Sequence, residues 1–501
     1  MNTGKVYLVG AGPGAAGLLT LKGKDILSCA QVVVYDSLVG DEILAMISKA
    51  ARTVNAGKHS GHHTIKQEDI NRILLEEALA GNTVVRLKGG DPFLFGRGGE
   101  ELELLAENDI PFEIVPGITS AVAVPAYNGI PVTHRDYCSS VHIITGHKKA
   151  QAEYDINFRA LVEAKGTLVF LMGVTALPDI MNGLMEGGID PDTPAAVLQQ
   201  GTTAGQKRIS ATVKTLEEEV ERQGIKTPAV IVVGKVCLLA DKFSWYEKLP
   251  LSGRKIVVTR PADFSSEIAR RLRLKGAEVL ELPAISTAAI ENNSALYECL
   301  DKIDRYDWIA FTSPAGVRIF FEKMEERSKD VRSLAGIKIA ALGSGSAKML
   351  KKHGIIADLV PEIYDGLSLG EALAEEMKPG SRILIPRSAA GNRELTDALK
   401  ARGDIEIDDI ATYDTFYEKQ DIVDERAKFE AGDIDLAVFT SASTVKGFVR
   451  AAPGLDYTKV TAACLGKQTK AQADAYGMKT YMAKKATMDA VVELVLEMFN
   501  S

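Results

Sequence analysis

Residues 86–101 read Arg-Leu-Lys-Gly-Gly-Asp-Pro-Phe-Leu-Phe-Gly-Arg-Gly-Gly-Glu-Glu. An apolar run at 83–87 predicts a strand that empties into Gly89-Gly90-Asp91-Pro92. Taken alone that is an ordinary turn, because Gly, Asp and Pro each favour one. Its neighbours give it meaning. Toward the N-terminus, 6–9 reads as a strand, Gly10-Ala11-Gly12-Pro13-Gly14 as a loop, 18–30 as a helix and 32–35 as a second strand ending at Asp36. Toward the C-terminus, strands are predicted at 112–115, 142–144, 168–172 and 230–233. Strands alternating with helical stretches predict α/β layering with largely parallel sheets.

The loop after the first strand invites a dinucleotide reading, with Asp36 as the ribose-binding acid. The fingerprint fails: it needs a third glycine where Ala15 stands. Pro13 also removes an N–H from the loop that would cradle a pyrophosphate. The histidines at 59, 62 and 63 superficially resemble a metal site, but no cysteine or carboxylate accompanies them, and a loop is the better reading.

The pattern breaks at 241–253, where Phe243-Ser244-Trp245-Tyr246 runs into Pro250-Leu251-Ser252-Gly253. A new strand begins at 255. The linker is short and not of low complexity, so the halves are expected to touch. Beyond it the sequence repeats itself. Residues 253–260 resemble 380–387, residues 306–313 resemble 434–441, and 341–347 resemble 464–471. Two similar lobes imply a cleft. Hydroxyl- or glycine-rich turns at Thr312-Ser313, Thr440-Ser441, 343–346 and 466–469 would open helices toward it. Such turns offer N–H groups to carboxylates or serve simply as helix caps.

Composition narrows the classes. The chain has 501 residues, 46% hydrophobic and 25% charged, with net charge −8, which disfavours nucleic-acid binding. Cys29, Cys138, Cys237, Cys299 and Cys464 are scattered without a CxxC pair, so a reducing, cytoplasmic setting without structural zinc is expected. No uncharged apolar run reaches the roughly 20 residues of a membrane span, and no signal peptide is read at the N-terminus.

The ordered series 6–20, 33–36, Gly57-Lys58, 86–101, 115–121 (VPGITSA), 129–135 (GIPVTHR), 171–173, 200–202 and 227–230 resembles the tetrapyrrole methyltransferase superfamily, most closely uroporphyrinogen-III C-methyltransferase. The resemblance implies a two-lobed fold, distinct from the common Rossmann methyltransferase, with lobes at about 1–117 and 118–245. It implies S-adenosylmethionine between the lobes, held by Pro13, Gly89, Gly90, Asp91, Leu94, Thr119, Ser120, Met172 and Gly201. It points to Asp36 as proton acceptor and Lys58 as proton donor. Basic residues for the substrate's acetates and propionates are Lys58, His63, Arg97, His134 and Arg135. The family loop usually continues Gly-Pro-Gly-Asp, where this chain has Ala15. The resemblance also implies a homodimer through residues 1–245.

Residues 254–501, after a linker at 246–253, resemble uroporphyrinogen-III synthase through Phe311-Thr312-Ser313-Pro314, Leu342-Gly343, Tyr413-x-Thr415 and Phe439-Thr440-Ser441. That family uses no cofactor and closes hydroxymethylbilane with inversion of the last ring. Tyr413 matches a family tyrosine that is either the proton donor to the leaving hydroxyl or a hinge aromatic. Candidate carboxylate binders are Thr312, Ser313, Ser344, Arg387, Thr440, Ser441 and Lys467. The resemblance pairs 254–286 with 416–499 in one lobe and leaves 290–412 as the other, whereas repeat order alone predicts consecutive lobes. Together the halves would make uroporphyrinogen III and methylate it twice to precorrin-2. The alternative is a methyltransferase of another tetrapyrrole or corrinoid carrying a non-catalytic two-lobed binding module.

Overall fold

In the computed structural model, which describes residues 3–57, 65–146, 156–261, 267–417 and 422–499, nineteen strands form three sheets among the described residues. The first sheet holds β1 (Lys5–Gly10), β2 (Val32–Tyr35), β3 (Arg52–Asn55), β4 (Thr83–Lys88) and β5 (Phe112–Val115) in the order β3-β2-β4-β1-β5. Every pairing in it is parallel. Parallel strands are covered on both faces and therefore read as unbroken apolar runs. Here Val6, Leu8, Val34 and Val84 pack under Ile70 and Leu74 of the helix Gln67–Leu79, while Val9, Val33 and Val85 face the other way with Leu27. The helix expected at 18–30 begins at Leu21, because the Thr20 hydroxyl caps it by accepting from the Gly23 N–H.

The second sheet contains β6 (Val141–Thr145), β7 (Thr167–Leu171), β8 (Pro194–Gln199), β9 (Lys207–Thr212) and β10 (Ala229–Val233), ordered β6-β7-β10-β8-β9. The expectation of largely parallel sheets fails here: only β6 and β7 run parallel, and the other three pairings are antiparallel. The reason is local. Gln200 (φ 44°) and Thr202 (φ 75°) adopt left-handed backbone and turn β8 straight back into β9. β7 ends one residue before expected because Met172, at φ 55°, leaves the extended region.

The third sheet is continuous through the second half: β14-β13-β15-β16-β12-β11-β17-β18-β19. Its strands are β11 (Lys255–Pro261), β12 (Glu278–Ala289), β13 (Trp308–Phe311), β14 (Lys338–Ala341), β15 (Arg382–Ser388), β16 (Glu406–Tyr417), β17 (Leu436–Phe439), β18 (Thr461–Cys464) and β19 (Lys479–Met482). The two long strands, β12 and β16, bind the sheet together. Each begins parallel to its own neighbour, β11 or β15, and then pairs antiparallel with the other through Ile285↔Tyr417 to Ala289↔Tyr413. Reading outward from that ladder, β12-β11-β17-β18 on one side matches β16-β15-β13-β14 on the other. The sequence repeats are consecutive, but each side of the sheet draws strands from both.

The two halves share a core. Tyr35, Val39, Ile43 and Ile47 pack in one buried cluster with Leu280, Leu282, Phe429 and Ile434. The connecting segment is packed too. Tyr127 lies 5.0 Å from both Trp245 and Tyr246, ring centre to ring centre, and Trp245 Nε1 donates to the Ala126 carbonyl at 3.0 Å.

Candidate active sites

The C-terminal ends of β1, β2, β4 and β5 lie at one edge of the first sheet, where open α/β sheets bind ligands. Backbone segments meet there at unusually short range. A methyl group on Gly117 would fall 2.2 Å from the Gly90 carbonyl oxygen, and one on Gly10 would fall 2.5 Å from the Gly117 Cα. Gly90, at φ 68°, also exchanges hydrogen bonds with Gly12 in both directions, at 2.8 and 3.1 Å. The Asp91 carboxylate fixes the junction. One oxygen accepts from the Phe93 and Leu94 N–H groups at 2.8 and 3.1 Å, and the other accepts from Gly117 at 3.0 Å. Asp36 accepts from Leu38 at 3.0 Å and Gly89 at 3.4 Å, with Arg86 Nη2 3.9 Å away.

The second sheet closes toward the same loops. The Thr202 hydroxyl accepts from the Ala15 N–H at 3.2 Å, and a methyl group on Gly14 would fall 2.7 Å from Thr203. Gly201 lies against Val124 of the helix Ser120–Tyr127, which Thr119 caps. Met172 is half exposed in its left-handed turn. Leu38, Phe93, Ile118 and Val122 are also exposed on these loops. Pro13 and Leu94 are partly buried. The edge thus offers close backbone, a few fixed carboxylates and uncovered apolar side chains, a combination suited to a small amphipathic cofactor.

Lys58 and His63 lie outside the described residues. Arg97 does not stand free for substrate as expected: its guanidinium forms a bidentate pair with Glu100, the shortest contact 2.6 Å. Its own left-handed N-cap position turns it onto that neighbour. Arg135 is exposed, and the His134 Nδ1 accepts from the Asp136 N–H at 3.2 Å.

Sequence reading missed a buried charge group beneath this edge. Glu101 is 0% exposed and accepts from Arg86 Nε at 3.0 Å, Lys88 Nζ at 2.8 Å and Gln67 at 3.1 Å. Burial, and then the neighbouring Arg86, lowers the Lys88 pKa from its usual value. The signal was present: Arg86 and Lys88 stand two apart in an apolar strand, so they share a face.

The second cleft lies over the ladder. Because β12 and β16 run antiparallel, the C-terminal edges of the two sides oppose each other across it. Among the described residues, the helices Pro314–Glu326, Ser344–Lys352, Ala442–Ala451 and Lys467–Asp474 all begin at such an edge. The N-caps are Ser313, Gly343, Ser441 and Gly466. Ser441 closes a capping box with Thr444. Thr312, Ser344 and Thr440 are partly buried beside these caps, and Lys467 is exposed. Gln468 reaches across to Glu394 at 3.4 Å.

Tyr413 lies in the ladder. Its hydroxyl meets the Ser313 Oγ at 2.6 Å, and that Oγ also accepts from the Gly316 N–H at 2.9 Å. Burial raises the phenol pKa above its usual value, against the pull of Ser313 and Ser388, so the group keeps its proton. Arg387, expected to bind a substrate carboxylate, already has one beside it. Its guanidinium is held by Asp409 at 2.5 and 3.2 Å and by the Ser388 carbonyl at 2.8 Å. A partly buried arginine inside a sheet needs such a partner.

Comparison with known proteins places both halves. The family of tetrapyrrole (corrin/porphyrin) methylases matches residues 5–217, and that of uroporphyrinogen-III synthase HemD matches 266–493. A porphyrin biosynthesis protein HemD of Ruminiclostridium josui is 46% identical over 497 residues, covering 99% of this chain and 98% of that one. A uroporphyrinogen-III C-methyltransferase of Bacillus subtilis (strain 168) is 50% identical over 244 residues, covering 49% of this chain and 95% of that protein. A Thermus thermophilus uroporphyrin-III C-methyl transferase crystallised with S-adenyl homocysteine is 38% identical. It covers 46% of this chain and 98% of that one, with TM-score 0.41.

Proposed function

The chain belongs to the family of porphyrin-biosynthesis proteins that join a tetrapyrrole methylase to a uroporphyrinogen-III synthase, and on that premise we propose that it performs both reactions. The second half cyclises hydroxymethylbilane to uroporphyrinogen III, and the first half methylates that product twice to give precorrin-2. The observation that carries this reading is the presence in one chain of two unlike clefts. One is lined by close backbone and fixed by Asp91; the other is ringed by capped helix N-termini over Tyr413. The domain limits proposed are 1–245 and 254–501, with lobes at 254–286 plus 416–499 and at 290–412.

S-adenosylmethionine, when bound, supplies an electrophilic methyl group. Gly10 and Gly117 let the loops that carry Gly12, Gly90 and Ile118 meet backbone to backbone, and Gly89, Gly90, Asp91, Pro13, Leu94, Thr119, Ser120, Met172 and Gly201 would hold the cofactor. What the protein contributes is alignment, and orientation alone can lower a barrier by up to roughly 7–11 kcal/mol. Asp36 is the proposed acceptor of the ring proton and Lys58 the donor. In the second cleft, hydroxyls and helix N-termini bind the carboxylates that hold the linear substrate folded. Tyr413, kept protonated, gives its proton to the departing hydroxyl while Ser313 orients it.

A homodimer through residues 1–245 is part of the same reading, checked by sedimentation. So is a cytoplasmic location, supported by five cysteines that are all free thiols. Among the described residues no helix is long and apolar enough to cross a membrane. Incubation with hydroxymethylbilane tests the whole reading. Type III uroporphyrin is expected without cofactor, and a dimethylated product with it. The type I isomer alone would overturn the synthase assignment, and failure to methylate authentic uroporphyrinogen III would overturn the methyltransferase's substrate.

A further inference from the structure

The segment that leads from β2 toward the first cleft carries two adjacent carboxylates, Asp41 and Glu42, and both are taken up by the second half of the chain. Glu42 is 5% exposed. One of its oxygens accepts from the Ala16 N–H at 3.0 Å, at the end of the loop 10–17. The other accepts from Arg273 Nε at 2.7 Å and from the Val279 N–H at 2.9 Å, both in the second half. Asp41 receives Lys255 at 2.9 Å and Lys428 at 2.7 Å. Lys255 also holds Glu278 at 2.8 Å, and the other Glu278 oxygen accepts from the Ala204 N–H at 2.9 Å. Ala204 follows the 200–202 turn of the second sheet. Gly40 presses on the loop from the same side, since a methyl group there would fall 2.6 Å from the Gly14 carbonyl oxygen.

Both cofactor-side turns, 10–17 and 200–206, are therefore hydrogen-bonded to side chains that the β11–β12 edge holds in place. A loop held by few contacts of its own opens at low free energy. Here one of its contacts, Ala16 to Glu42, is itself held by partners more than 200 residues further along the chain. We propose that Lys255, Arg273, Glu278 and Val279 of the synthase half support the methyltransferase cofactor site from behind, with Glu42 as the positioning residue that transmits their hold to the loop 10–17. This rests on the assignment of that loop to S-adenosylmethionine binding.

Linkage makes the coupling reciprocal. Arg273→Met removes the charged partner on the synthase side while leaving every residue proposed to touch the cofactor in place. It is expected to weaken S-adenosylhomocysteine binding by about tenfold, the equivalent of one lost hydrogen bond to a charged group. Calorimetry on the full-length protein reads this directly. KM for S-adenosylmethionine should rise by the same factor with kcat unchanged. Should the variant fold poorly, the wild-type protein supplies the reverse measurement. S-adenosylhomocysteine should slow amide hydrogen exchange at Ala16, Ala204 and Val279, and through the helix Glu267–Leu274. A Kd unchanged within twofold in the folded variant, or exchange slowed at Ala16 but not at Val279, would overturn the coupling and leave the cofactor assignment standing. Absence of any S-adenosylhomocysteine binding to the wild-type protein would instead overturn the cofactor assignment.

Discussion

The two halves build a two-lobed cleft in different ways. In the first, each lobe owns a sheet, and the two sheets share no hydrogen-bonded strand. Their relation is set by contacts at the cleft itself, Ala15 to Thr202 and Gly14 to Thr203, and behind it by Lys255 and Glu278 of the second half, which reach Asp41 and Ala204. In the second, one sheet runs through both lobes, and the ladder of β12 with β16 fixes their relation from below. A cleft of the first kind depends on how closely its loops can approach, and glycine is the residue that permits this. A cleft of the second kind has its frame given by backbone pairing, which leaves side-chain hydroxyls and helix N-termini free to face the ligand.

Blocking one such approach separates the two clefts most strongly. In Gly117→Val the new side chain meets the Gly90 carbonyl at 2.2 Å with its first atom. Methyl transfer is expected to fall below detection, while uroporphyrinogen III formation stays within about twofold, since that cleft shares no loop with Gly117. Parallel loss of both activities would mean that the clefts are not separately framed. Next in size is Tyr413→Phe. If the phenol donates a proton, the synthase rate falls by about 100-fold, a typical contribution for general acid catalysis. A hinge aromatic would instead leave the rate and lower only the unfolding temperature. Smaller again is Asp91→Asn, which keeps the shape but replaces one of the two acceptor oxygens by an amide NH2, so the three N–H donors lose the charge and at least one of them its acceptor. S-adenosylhomocysteine should bind about tenfold more weakly, with the synthase untouched.

The contrast also explains what the sequence discloses. The inner strands of the first sheet were legible because burial on both faces leaves a bare apolar run such as 32–35, whereas the edge strand β3, Arg52–Asn55, was not, being half-exposed and polar at both ends. β9 was not: its alternation of exposed and buried residues over Lys207–Thr212 is weak, and nothing local says that it returns antiparallel to β8. The repeats of the second half were readable as strands, but strand order in a shared sheet is a property of pairs such as Ile285 with Tyr417. In the site, glycines and turns mark themselves, whereas Arg387 looks like a free anion binder until Asp409 appears beside it. The joint was invisible for the same reason, since Glu42 and Arg273 are 231 positions apart.

That joint yields the smallest and most discriminating effect, because its two neighbouring carboxylates shift in opposite directions. Burial opposes the charge on Asp41, but Lys255 and Lys428 outweigh it and hold its pKa below the usual 3.8. Burial likewise opposes the charge on Glu42, and Arg273 with two backbone donors offsets it only in part, so its pKa stays above 4.5. The signs follow by linkage. Stability from Asp41 is present above 3.8 and is lost as pH falls through its depressed folded value. Glu42 behaves inversely: its contribution is full below 4.5 and declines as pH rises through its raised folded value. Lys255, raised above 10.5, holds Asp41 throughout this range and lets go only in strong base. Glu42→Gln removes one of these titrations and leaves the other. As pH rises above 4.5 the variant's unfolding temperature should therefore gain on the parent's by about 2–4 °C, the shift that roughly 1 kcal/mol makes in domains of this size. Below pH 4 the two proteins should lose stability together, because Asp41 is common to both. A difference independent of pH would mean that Glu42 takes up its proton alike in the folded and unfolded chain, its partners fully offsetting its burial.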